Sequence, residues 1–89
     1  MLTNRRLSAR KREEAVTTFK RKIAEWGEIL LREHTRLALW VARAEDPTKH
    51  TLAGFSYWAA VQRQQDFVET CVKQVKFWED RLASVTRQG

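Results

Sequence analysis

The sequence predicts an all-α fold: one long antiparallel two-helix hairpin, expected to dimerise into a four-helix bundle. Three observations lead there. Only three glycines and one proline occur in 89 residues, which leaves few places for tight turns. Apolar residues recur at alternating spacings of three and four over two long stretches, the period of a helix face. A single break separates those stretches near the middle of the chain. The 89 residues are accordingly read as one helical domain, a size at which a lone core is marginal.

The first helix is expected at about residues 8–45. Its stripe runs Val16, Phe19, Ile23, Trp26, Leu30, Glu33, Leu37, Trp40 and Ala44, with Glu33 the one polar member. Glu13 and Glu14 suit the first turns of this helix, where the backbone dipole favours anions. Gly27 is an interior glycine that either admits a close neighbour or sits harmlessly on the surface.

The break is Glu45-Asp46-Pro47-Thr48-Lys49-His50-Thr51, with a turn at 46–50. It holds the only proline, and Thr48 and Thr51 are candidate N-caps for the second helix. That helix is expected at about residues 51–86, unless Gly54 delays the regular part to Ser56. Its stripe is Val61, Gln64, Val68, Cys71, Val75, Trp78, Leu82 and Val85, with Gln64 the polar member.

Folding the chain at the turn sets Trp40 near Tyr57 and Trp58, Leu37 near Val61, and Leu30 near Val68. Farther from the turn, Ile23 falls near Val75 and Phe19 near Trp78 or Glu79. Glu33 faces the region of Gln64 and Gln65. A polar pair inside a seam can fix register or oligomeric state at some cost in stability, so Glu33 and Gln64 are candidate specificity residues. A small rotation would instead leave Glu33 at the rim.

Charge is unevenly distributed. The formal excess is +6, and Arg5, Arg6, Arg10, Lys11 and Arg12 carry most of it. The same register leaves residues 1–10 beyond the end of the second helix, as a basic N-terminal tail. Such an arm can hold phosphate groups without reading sequence, and Lys20, Arg21 and Lys22 extend it by a turn. No recognition pair, zinc site or aromatic RNA-binding strand accompanies it. Farther along, Arg32, Arg36 and Arg43 are balanced on paper by Glu25, Glu28, Glu33 and Glu45.

The apolar residues outnumber what one seam can cover. Leu37, Leu39, Trp40 and Val41 surround the first helix at its turn end, and Phe55, Tyr57 and Trp58 do the same for the second. Surplus aromatic surface on a small protein marks a partner site, and these seven residues are the predicted one. A third helix, made from residues 1–12 or by a break near Gly54, would be the intramolecular alternative, but in the first case Leu2, Leu7 and Ala9 offer little to cover the patch with.

Chemistry of other kinds finds no foothold in the sequence. His34, His50 and Cys71 do not converge and lack metal-ligand spacing, so no metal or cofactor is expected. Cys71 occupies a stripe position that suits a small buried apolar residue. Neither a phosphate loop nor a nucleophile elbow is present, and a hairpin offers little concavity for a substrate. No apolar run approaches the ~20 residues of a membrane span, and one cysteine fits a reducing compartment, so a cytoplasmic location is expected. The expected function is a non-enzymatic protein-protein interaction module: adaptor, co-chaperone, inhibitor or small assembly subunit. It would act as a homodimer, on a larger protein, or both. The alternative is a dimer that binds nucleic acid non-specifically through its N-terminal arm.

Overall fold

A computed structural model describes residues 8–46 and 56–87, which form two helices packed as a hairpin. Helix α1 spans Ala9–Glu45 and α2 spans Tyr57–Arg87. Arg5, Arg6, His50 and Phe55 lie outside the described residues, as do Thr48 and Thr51.

The helix limits follow from local chemistry. Ser8 is in the extended region (φ −61°, ψ 159°), and its hydroxyl accepts from the Lys11 amide. That satisfies one of the orphan N–H groups at the helix start. The first turn holds Arg10, Lys11 and Arg12 and no acid, and Glu13 and Glu14 follow in the second turn. Arg10 reaches Glu14 at 3.6 Å across one turn. At the other end Asp46 is extended, as the residue before a proline must be, and α1 stops there.

Helix α2 starts later than periodicity alone predicts. Ser56 is its cap: the hydroxyl accepts from the Ala59 amide at 3.2 Å, and the carbonyl accepts from Ala60 at 3.1 Å. Apolar spacing cannot see such a limit, because the cap hydroxyl and not the stripe decides which residue enters the helix first.

Three contacts fix the antiparallel register along the length. Trp40 meets Tyr57 with ring centroids 6.1 Å apart, Gln64 bonds to Glu33, and Phe19 meets Trp78 at 5.7 Å. This is the alignment obtained by folding the sequence at its turn. Gly27 has nothing within 4 Å of where a side chain would begin, so it is no close-approach site between the two helices.

The seam is asymmetric. Helix α2 contributes small buried residues, Ala60, Val61, Val68, Cys71 and Val85. The large stripe residues of α1, Phe19, Ile23, Trp26, Leu30 and Leu37, are half-buried. The only buried residue of α1 is Glu33. Away from the turn, Phe19, Phe77 and Trp78 form an aromatic group, with the Arg81 guanidinium 5.6 Å from the Phe19 and Phe77 rings. The indole N–H of Trp78 is buried there and meets no acceptor among the described residues.

Candidate functional site

Two features stand out from this frame: a polar knot inside the seam, and large apolar side chains that the hairpin leaves uncovered. The knot is built on Glu33, which is 4% exposed. The Gln64 amide donates to its carboxylate oxygen at 2.9 Å and to its backbone carbonyl at 3.0 Å. Arg32 donates to the other carboxylate oxygen at 3.3 Å, and Arg36 reaches the first at 3.5 Å. The Gln64 bond holds the Glu33 carboxyl below its usual value; burial opposes this, and the two arginines add to it. Glu33 thus lies in the seam and not at its rim, ionised and fully engaged.

Cys71 is completely buried in the same seam, with no disulfide partner. Burial pushes its thiol up from the usual value, and the Glu33 carboxylate adds to the shift. A thiol so placed is a poor nucleophile. His34 is exposed on α1. Among the described residues no three His, Cys, Asp or Glu side chains gather closely enough to hold a metal ion. No helix of the described residues is long and apolar enough to cross a membrane.

The predicted partner residues divide into two groups. Leu39 and Trp58 are 56% and 55% exposed, whereas Leu37, Trp40, Val41 and Tyr57 are half-buried against the seam. The uncovered surface also extends well past the turn end. Leu31 is 71% exposed, and Val72, Phe67 and Phe77 are each exposed by more than two-fifths. Residues nine apart on a helix are half a turn out of phase, so Trp58 and Phe67 point to opposite flanks of the hairpin. The sequence signal for these extra residues was their departure from the stripe of α2, where Phe67, Val72 and Phe77 are off-seam hydrophobes.

One flank carries a shallow groove beside the knot. It is lined by Arg32, Glu33, Arg36 and Trp40 from α1, and by Ala60, Arg63, Gln64 and Phe67 from α2. Arg32 and Arg36 are over half exposed despite their contacts to Glu33. Arg63 is exposed and forms no ion pair among the described residues. Counting acids and bases along α1 made this region look balanced, but its acid is buried and its arginines face outward. Of the predicted nucleic-acid arm, Arg10, Lys11 and Arg12 occupy the first turn of α1.

The chain matches no family model, and no curated protein or solved structure is significantly similar to it.

Proposed function

We propose that this chain is a non-enzymatic helical interaction module that self-associates through its uncovered apolar side chains. The observation that carries the reading is the exposure of Leu31, Leu39 and Trp58, each more than half open to solvent. Large apolar side chains left bare at this density on a small chain mark a partner surface. A second copy is the simplest cover, because two hairpins related by a two-fold axis close into a four-helix arrangement with no open end.

Light scattering coupled to size exclusion tests this. The expected result is a dimeric mass for the parent chain, with Leu39→Ser and Trp58→Ser shifted toward monomer. A monodisperse monomer at high concentration would overturn the self-association reading.

A second reading attaches to the basic start of α1. Lys11 and Arg12 have no acidic partner among the described residues, and Arg10 has only the exposed Glu14. An arm of this kind would hold phosphates and release them as salt rises. Removing residues 1–12 should abolish DNA binding at low salt; unchanged binding by the truncated chain would exclude it.

A further inference from the structure

The groove beside the knot is not suited to lie on the axis of a two-fold contact between copies. A two-fold contact centred there would set Arg32, Arg36 and Arg63 against their own images, and like charges across an interface repel. Nor can the chain fill it from within. Residues 1–7, 47–55 and 88–89, which lie outside the described helices, contain no aspartate or glutamate. Glu33, the acid of the groove, is already engaged by Gln64. Each guanidinium has five N–H donors in a planar fork, so Arg32 and Arg36 keep most of theirs after serving Glu33, and Arg63 keeps all.

Beside these donors run apolar groups: Ala60, the Phe67 ring, which is 43% exposed, and the half-buried Trp40 ring. A ligand that satisfies both needs carboxylates and aliphatic side chains on one face. A helix with acidic and aliphatic residues at i and i+4 has that layout. A duplex offers such a groove its sugar-phosphate backbone, which supplies only the charge, and a single strand, whose bases could stack on the rings, is an outcome of the test.

We propose that the Arg32–Arg36–Arg63 groove docks an acidic amphipathic helix of a partner protein, with carboxylates on the guanidiniums and aliphatic side chains on Phe67 and Trp40. This rests on the reading of the chain as a protein-interaction module, and it adds the chemistry of the partner and a site on the flank opposite Trp58.

The test uses the full chain and a fluorescein-labelled helical peptide carrying glutamate and leucine at i, i+4 spacing, followed by anisotropy. Saturable binding that weakens with salt is expected. Arg63→Glu should weaken it about thirtyfold or more, while Arg87→Glu, the same charge change at the end of α2, should alter it by no more than about twofold. A companion peptide with glutamine in place of glutamate should fail to bind. Since Arg63 is exposed and unpaired, the variant should keep the parent's helicity; Arg63→Gln provides a milder change if it does not. The proposal is overturned if the glutamate peptide does not bind, if the glutamine peptide binds equally, or if Arg63→Glu binds like the parent. It is also overturned if a single-stranded oligonucleotide depends on Arg63 and the peptide does not. Light scattering on the same variants separates the two readings: Arg63→Glu should leave the solution mass unchanged, and Trp58→Ser should leave peptide binding unchanged.

Discussion

Gln64 donates from one amide to both the carboxylate and the backbone carbonyl of Glu33, at 2.9 and 3.0 Å, across the seam between the two helices. A side chain that bonds to the backbone of the facing helix senses axial position as well as side-chain identity. A shift of one helical turn would bring Gln64 level with Leu30 or Leu37, neither of which has a side-chain acceptor. The pair is thus suited to holding the register, at the expense of an apolar contact.

Truncation of Gln64 should be costly, because it leaves a buried carboxylate with its best donor gone. Gln64→Ala is expected to lower Tm by at least about 4–8 °C, the shift that about 1 kcal/mol gives in a domain of this size, since two hydrogen bonds are lost. Replacing both partners with leucine should restore or exceed the parent's Tm, since a well-packed apolar pair avoids the desolvation of the charge. A double-mutant cycle by thermal unfolding measures the coupling. Simple additivity would show that the bond contributes nothing.

Acid should weaken the hairpin through the same group. The Glu33 carboxyl titrates lower in the folded chain than in the unfolded one, so its contribution is present above the ordinary glutamate range. It is lost as pH falls through the folded value, when the unfolded chain has already taken up its proton. Tm measured between neutral pH and pH 3 should fall less steeply for Glu33→Gln than for the parent. Parallel curves would mean that Glu33 is not the group responsible.

Cys71 should resist thiol reagents while the chain is folded. It is fully buried and its thiol is raised, so alkylation must wait for local opening. Labelling is expected to accelerate by orders of magnitude in denaturant. Rapid labelling of the native chain would contradict the packing of the seam.

Trp78 offers a test with two opposite outcomes at one position. Its buried N–H has no acceptor among the described residues. Trp78→Phe removes that donor along with some ring area, and the change in stability should stay within about 1 kcal/mol. Trp78→Ala removes the contact with Phe19 altogether and should cost about 3 kcal/mol or more. Denaturant titrations of the two variants distinguish a packing role from a hydrogen-bonding one.

Gly27→Ala should stabilise the folded chain by about 1 kcal/mol, because alanine favours helix and nothing lies where its methyl would go. If the solution mass fell instead, Gly27 would belong to the contact between copies.

Much of the fold was legible in the sequence because one seam with one period dominates it. The pairing of Phe19 with Trp78 and of Trp40 with Tyr57 comes from matching two stripes across one break. The start of α2 at Tyr57 was not legible in the stripe, since it depends on the Ser56 hydroxyl and not on hydrophobicity. The place of Glu33 was undecided for a similar reason. A rotation of a fraction of a turn separates seam from rim, and that rotation depends on how the bulky residues of α1 settle over the small ones of α2. The arginine groove was hidden because counting charges along one helix says nothing of which ones point inward. Leu39 and Trp58, by contrast, belonged to the predicted surface because the apolar residues at the turn end outnumber what one seam can cover, and both are more than half exposed.

The antiparallel register also sets an order of events. Sequence separation between facing residues grows steadily from Trp40–Tyr57 through Glu33–Gln64 to Phe19–Trp78. Each step away from the turn closes only slightly more chain than the last, so the two helices can join like a zip that starts at the bend. Run backwards, the same geometry makes the far aromatic group the first to part. Amide protons near Phe19 should then exchange with solvent sooner than those near Glu33.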